Sequence, residues 1–478
     1  MRLHKESIKN IALVILILFS ILLFSQLWFN GKVTSQGYLL INEAKETVMR
    51  WFGYADQAVL NAASTEGAFL PKRIVLTSNG KRRVVYKGSK DFSGCYSRFQ
   101  QLFTQSGLTV SKPAVALEEE WTSALKSQSV LFDFGNVYAT ELLSRPTLIL
   151  PGNAAKELLL TPGDSVIGKP TLYVRDYPSG DIQKLMLGGS SDTLDEILQT
   201  WLADENAKNL PFAFELGFDG SHAVQQAVVE QNILLDSTMT IGLKNTNMPS
   251  VRLHPSDAFS GVAQNQPLTD QLLKLFNMDR SVTRRYIEQN DVYVYVDRHA
   301  TLKLYPSGYL EYTAEDGGLD LSDGSGQSSA AQSVENVFSL VRSILRLSEL
   351  GDIQLQLASD LYGYPKQDFS ASFQLDYLAD SRIAMLRRDG ALLHPVGVQV
   401  QNGKLVSFSQ YIYGYTPSDT AVSLEPTLKA VDRLYGKLQG KAFISEIYPV
   451  WILDEANQTQ LTWCAKRKEN GQLIILEF

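Results

Sequence analysis

Residues 11–29 form an apolar run of nineteen, interrupted only by Ser20, Ser25 and Gln26. As a helix rising about 1.5 Å per residue, the run spans roughly 28 Å, close to the hydrocarbon thickness of a bilayer. Arg2, Lys5 and Lys9 precede it, whereas only Lys32 follows closely. That bias places residues 1–10 in the cytoplasm and sends the rest of the chain outside. A cleaved signal peptide would carry a shorter core, about 7–15 residues, ending in small residues. Here Leu23 stands where cleavage after Ser25 needs a small side chain, and no cysteine follows to accept a lipid. Trp28 suits the outer interface. The expectation is an uncleaved single-pass anchor in the cell membrane, with the bulk of the chain extracytoplasmic.

The chain has 478 residues, enough for two to four domains. Apolar residues make up 44% and charged residues 20%, which argues for globular folding rather than wholesale disorder. The 44 Lys and Arg against 51 Asp and Glu leave a net charge of −7. Without a basic excess the chain is not built to bind nucleic acid. Two cysteines, Cys95 and Cys464, are too few for a disulfide-stapled scaffold or a multi-thiolate metal site.

Outside the anchor one local pattern recurs: a strand pair followed by an amphipathic helix. Strands at 73–77 and 81–86 flank Ser78-Asn79-Gly80, and Asn-Gly supplies the positive φ angles of a tight hairpin. A helix with Cys95, Phe99, Leu102 and Phe103 on one stripe follows. A second pair flanks Tyr177-Pro178-Ser179-Gly180; its helix carries Leu194, Ile197, Leu198, Trp201 and Leu202, with Asp192 as N-cap. A helix with Leu268, Leu272, Leu275 and Phe276 follows a boundary near 261–267. In the third set Val292, Val294 and Val296 alternate with Tyr293 and Tyr295, and strands at 302–305 and 309–313 flank Pro306-Ser307-Gly308. Its helix starts at Ser333 and carries Val334, Val337, Phe338, Val341 and Leu345. The fourth pair surrounds Asn402-Gly403, and its helix starts near Pro426, a favoured first-turn residue. Strands return after the third and fourth helices, so residues 280–380 and 381–478 read as two similar units. The fold class expected is α+β: antiparallel sheets with helices packed on one face. Residues 315–332, rich in Gly, Ser and Asp, read as a mobile loop.

Motifs for chemistry are scarce. His4, His222, His254, His299 and His394 lack zinc-site spacing and read as surface or turn residues. No nucleophile elbow, phosphate loop or dinucleotide fingerprint occurs. Cys95 and Cys464 read as core residues. Asp316, Asp320 and Asp323 fit neither calcium-loop spacing and read as a solvated loop. The repeated Tyr-Pro-Ser-Gly element at 177–180 and 305–308 reads as a turn. Tyr411, Tyr413 and Tyr415 alternate, which places them on one strand face. No catalytic, cofactor-binding or metal-binding residue is assigned, so the chain is read as a non-enzyme needing no cofactor.

The stretch Tyr293-Val294-Tyr295-Val296-Asp297 through Leu302-Lys303-Leu304-Tyr305-Pro306-Ser307-Gly308-Tyr309-Leu310-Glu311-Tyr312 resembles the middle domain of the YycH family of Gram-positive accessory proteins. The preceding helix at 268–276 fits, and the closing segment from Tyr448-Pro449-Val450-Trp451 is similar to the last strands of YycH and its relative YycI. The resemblance covers residues 268–314 in detail and the rest in layout; the Gly/Ser loop is longer than the family pattern. It implies an N-terminal external domain at 34–265, a middle α+β domain at 268–380 and a C-terminal α+β domain at 381–478. It also implies a role as modulator of the WalK (YycG) sensor histidine kinase, which governs cell-wall metabolism, acting with YycI through membrane helices. In such a role Ser20, Ser25 and Gln26 are the expected contacts to the kinase's membrane helices, since polar groups at membrane depth bond across to partner helices. The rival readings are an anchored module binding wall polymer or peptide, and a cell-wall enzyme with a carboxylate site assembled by the fold.

Overall fold

The computed structural model describes residues 67–477, apart from 106–111, 145–147, 164–167, 178, 189, 204–209, 221–232, 257–265, 322–328, 351–352, 365–367 and 439. The expected anchor at 11–29, with Ser20, Ser25 and Gln26, lies outside the described residues. Among the described residues no helix is long and apolar enough to cross a membrane.

Mixed α+β architecture with mainly antiparallel sheets is what the chain adopts. The first sheet comprises β1 (Arg73–Ser78), β2 (Lys81–Tyr86), β3 (Ala114–Ala116), β4 (Ser129–Ala139), β5 (Ala154–Thr161), β6 (Thr171–Arg175) and β7 (Ile182–Met186). Its order is β2-β1-β4-β5-β6-β7-β3, antiparallel at every step. β4 is buried along its whole length, because both faces of the sheet are covered. On one face lie α1 (Phe92–Gln105) and α4 (Ser191–Leu202), which bury Cys95, Phe99, Leu194 and Leu198. On the other, α2 (Glu118–Lys126) seats Trp121 and Leu125 among Val75, Leu131, Leu159 and Tyr173. The short α3 (Thr140–Leu143) follows β4. α4 is capped by Ser190, whose Oγ accepts from Asp192 N–H at 3.2 Å; the expected cap, Asp192, sits in the first turn instead. The helix begins two residues earlier than a cap at Asp192 implies.

The second sheet is larger. It comprises β8 (Ile233–Leu235), β10 (Arg284–Glu288), β11 (Val292–Val296), β12 (Ala300–Leu304), β13 (Tyr309–Ala314), β14 (Leu319–Asp320), β15 (Gln354–Leu357), β16 (Ala371–Ala379), β17 (Arg382–Arg388), β18 (Ala391–Leu393), β19 (Val396–Gln401), β20 (Lys404–Tyr411), β22 (Ala442–Leu453), β23 (Thr459–Arg467) and β24 (Leu473–Leu476). The main path runs β10-β11-β12-β13-β20-β19-β16-β17-β22-β23-β24. Strands before and after residue 380 interleave: β19 and β20 insert between β13 and β16. The point between Asp380 and Ser381, where sequence divides the two units, is the turn of the β16–β17 hairpin. β22 runs parallel to β17 and to β8, a departure from the antiparallel expectation. A parallel neighbour requires a crossover, and α7 (Thr427–Lys437) lies in the segment leading into β22. β9 (Thr246–Pro255) and β21 (Tyr413–Leu424) form a separate two-stranded ribbon.

Two helices anchor this half. α6 (Ala330–Leu347) buries Val334, Val337, Phe338, Val341, Ile344 and Leu345. Each such side chain contributes about 1.5–3 kcal/mol on burial. Ser329 caps α6, its Oγ accepting from Gln332 N–H at 3.1 Å; Ser333, the expected start, is buried inside the helix. α5 (Gln266–Leu275) delivers Leu268 and Leu272 to the same core, with Phe276 stacked on Tyr312 at 4.8 Å. The acidic Gly/Ser segment is not all loop. Leu319 and Asp320 pair with Leu405 and Lys404, while Asp323 lies outside the described residues.

Candidate functional site

Between the two sheets lies a seam of buried charge. Arg73 and Asp133 are register partners on β1 and β4, and Arg73 Nε donates to Asp133 Oδ2 at 2.7 Å. Arg73 also donates to Thr240 Oγ1 (3.0 Å) and Thr238 O (3.2 Å), which ties the first sheet to the segment after β8. The β4–β5 register shifts between Asp133 and Tyr138. Around that irregularity the consecutive residues Lys156 and Glu157 both reach the same segment. Lys156 Nζ donates to Asp236 Oδ2 at 2.9 Å, and Glu157 meets Thr238 Oγ1. From the second sheet, Glu446 on β22 accepts from Lys72 Nζ at 2.8 Å, and Lys466 on β23 donates to Asn136 Oδ1 at 2.9 Å. Gly135 makes room for this. Its φ is +75°, and a Cβ there would lie 2.8 Å from Lys72 Cδ and 2.9 Å from Glu446 Oε1.

Burial and neighbouring charge set the protonation of the seam. Burial raises the Asp133 carboxyl, but Arg73, Lys156 and the Gly135 N–H outweigh it and hold the carboxyl below its usual range. Asp236 is likewise pushed up by burial yet held at about 2 by Lys156 and Thr238. Glu157 goes the other way: burial, then the Asp236 charge, push it up to about 7. An open cleft of about 680 Å³ adjoins the seam and is lined by Lys156, Asp176, Asp236, Lys466 and Lys468, among others. Lys468 lies over the Phe443 and Tyr177 rings at 4.6 and 5.5 Å. The mixture of signs and the close pairing describe a joint between sheets.

A second cleft, about 420 Å³, opens between the β1–β2 hairpin and the β17–β22–β23 face. Lys72, Arg73, Arg83 and Arg382 supply its cations; Met239, Met248, Leu424 and Ile447 supply apolar walls. Sequence reasoning missed this cleft, since its lining residues come from segments hundreds of positions apart.

The residues singled out from sequence fall as follows. Ser20, Ser25 and Gln26 lie outside the described residues, as do His4 and His222. His299 occupies the expected turn, with its backbone N–H on Asp297 Oδ1 at 2.8 Å. His394 is neither surface nor turn: its Nδ1 lies 2.6 Å from Oδ1 of the buried Asp376. That contact holds the imidazole against a buried carboxylate rather than against a hydroxyl or thiol. Cys95 and Cys464 are free and buried, in separate apolar clusters. The three tyrosines do not share a strand face. The chain changes sheets at Ile412, so Tyr411 packs on Tyr309 in the large sheet and Tyr413 on Tyr377 from the β9–β21 ribbon. The Tyr305 turn closes as expected, Gly308 N–H donating to Tyr305 O at 3.0 Å.

No protein-family model matches the chain, and no curated protein matches it. Among solved structures, the fold is similar to that of YycH from Bacillus subtilis, with a TM-score of 0.53 and 12% identity over 86% of this chain and 96% of that one. An uncharacterized protein from Eubacterium rectale aligns with a TM-score of 0.34 and 14% identity, over 52% of this chain and 88% of that one. The chain therefore has a YycH-like fold.

Proposed function

We propose that this chain is a membrane-anchored extracytoplasmic accessory protein that modulates a WalK-type sensor histidine kinase controlling cell-wall metabolism, and that it does so without catalysis. The observation that carries the reading is the YycH-like fold over 86% of the chain. The sequence stretch with the family resemblance supports it: residues 292–314 form the β11-β12-β13 meander of the large sheet.

In this reading residues 11–29 cross the membrane once, with the N-terminus cytoplasmic. Helices in lipid associate by packing and interhelical hydrogen bonds rather than by excluding water. Ser20, Ser25 and Gln26 supply such bonds to the kinase's membrane helices, and a YycI-like protein joins the assembly. Differential contact with the kinase's two signalling states shifts their balance. A bias of about 1.4 kcal/mol changes that ratio roughly tenfold.

The test replaces residues 11–29 with an unrelated membrane helix of equal length, with expression and topology held constant. Kinase output equal to that of the deletion strain supports contact within the membrane. Output equal to that of the native chain reduces the segment to a tether. Unchanged output in the full deletion strain removes the regulatory role altogether.

A further inference from the structure

Among the described residues, the cleft between the β1–β2 hairpin and the β17–β22–β23 face has one cation without a carboxylate. Lys72 has Glu446 at 2.8 Å, Arg73 has Asp133 at 2.7 Å and Arg83 has Asp91 at 2.7 Å. Arg382 has no carboxylate among the described residues. Its Nη1 donates to Ser381 O (3.2 Å) and Ser381 Oγ (3.3 Å), and its guanidinium lies over the Tyr86 ring at 4.6 Å. Its Nε is buried and has no acceptor among the described residues. The indole Nε1 of Trp463, a second buried donor in the lining of the same cleft, also lacks one.

Strand register relates these two donors. Ile383 is level with Val450, so Arg382, one position earlier, is level with Pro449. Pro449 in turn is opposite Trp463. Residues level across neighbouring strands project from one face of a sheet. Arg382 and Trp463 therefore flank Pro449 on the cleft face, two strand spacings apart, roughly 10 Å between backbones. Both residues line the cleft, and both carry long side chains, a guanidinium and an indole.

The free groups define the ligand's chemistry. With Nη1 occupied by Ser381, the Nε–Nη2 edge is the part of the guanidinium left over. That edge is a planar fork matched to the two oxygens of a carboxylate. A single unmatched cation calls for a single negative charge. Around it, Val85, Met239, Met248, Leu424 and Ile447 give the cleft its apolar walls, the usual makeup of a small-molecule site, which is mostly apolar with a few placed donors. We propose that this cleft binds a small organic carboxylate with an apolar body, held by the Nε–Nη2 edge of Arg382 and the indole N–H of Trp463. The assignment is independent of the kinase role: it stands or falls on the cleft alone.

Titration calorimetry on the full chain tests it. The probes are hexanoate and acetyl-leucyl-valine, each beside its own neutral amide, so that only the carboxylate differs within a pair. The expected result is that at least one acid binds about tenfold or more tighter than its amide, which is the size of effect a charged fork confers. Arg382→Gln should erase that preference, and Trp463→Phe should weaken the acid several-fold while leaving the amide unchanged. Preference for hexanoate identifies a free aliphatic acid; preference for the dipeptide identifies a peptide C-terminus. Arg382→Lys, which keeps the charge and loses the fork, covers the case in which Arg382→Gln melts early, and it should also lose most of the preference. Equal affinity for acids and amides, no heat from any probe at millimolar concentration, or an unchanged preference in the Arg382 and Trp463 variants would overturn the assignment.

Discussion

Glu157 and Asp236 share one hydroxyl. Thr238 Oγ1 contacts Glu157 Oε1 and lies 2.9 Å from Asp236 Oδ1. A hydroxyl carries one proton and can donate to only one of them. Asp236, held at about 2 by Lys156, is the ionised acceptor. Glu157, pushed up to about 7, carries its own proton below that pH, which leaves the Thr238 hydroxyl free to donate to Asp236.

The consequence is a stability that falls as pH rises. Between about 4.5, the ordinary value, and about 7, the folded chain holds a proton on Glu157 that the unfolded chain has lost. Stability therefore declines across that window and levels off above it. Glu157→Gln, which retains a donor for Thr238, should remove this decline and stabilise the chain at pH 8 by about 1–3 kcal/mol. Urea unfolding at pH 5 and pH 8, compared between the two proteins, measures it. Parallel pH profiles for both would contradict the shared-proton arrangement.

Lys87 acts in the opposite pH range. Burial, then the Arg342 charge, lower its ammonium to about 7, against a weaker pull from Glu335. Above pH 7 the folded chain sheds this proton, while the unfolded chain keeps it up to about 10.5. Stability contributed by this residue therefore climbs from about pH 7 upward, and the cost of a buried ammonium is felt in full below it. Lys87→Met should raise stability at pH 6 by about 1–3 kcal/mol and flatten the climb. Denaturation midpoints at pH 6 and pH 9 separate this effect from that of Glu157.

Local rules were legible in the sequence, and non-local ones were not. Asn79-Gly80 and Asn402-Gly403 take φ values of 51° and 75°, and 51° and 71°, the positive angles that pair requires in a hairpin. Asp380-Ser381 makes a comparable turn, at 45° and 63°, without a glycine to announce it, so a hairpin reads as a boundary between units. β4 escaped for a different reason. Buried on both faces it shows no alternation, and Asp133, Gly135 and Asn136 in its middle imitate a loop. Lys156 and Asp236 pair 80 positions apart, and Trp463 comes level with Arg382 only through β22. Neither juxtaposition leaves a periodic trace in the chain.

Gly308 offers a test of the join between sheet and ribbon. Its φ is +80°, and a Cβ there would sit 3.0 Å from Ile412 O. Its own carbonyl accepts from Ile412 N–H at 2.8 Å, at the point where the chain leaves β20 for β21. Gly308→Ala therefore combines left-handed strain with a tight contact to a backbone carbonyl, and should cost about 1–3 kcal/mol. Gly390 also has positive φ, 75°, but has nothing within 4 Å of a Cβ, so Gly390→Ala should cost less. Thermal melting of the pair gives the comparison; equal losses would mean that the Ile412 contact is not what constrains position 308.

Cys95 and Cys464 make the last prediction, which concerns reactivity. Burial is the chief cause that pushes both thiols up to about 12. For Cys95 it outweighs the opposing Arg83 charge, and for Cys464 it outweighs a hydrogen bond with Tyr448. Thiolate, not thiol, attacks a disulfide reagent. At pH 8 the folded chain should therefore leave Ellman's reagent unreacted over hours, while the chain in guanidinium should release two equivalents promptly. Slow reaction of the folded chain should track unfolding, so stabilising it through Lys87→Met at pH 6 should retard modification of both thiols together. One equivalent released rapidly from the folded chain would show that one of the two clusters, around Cys95 or around Cys464, opens on its own.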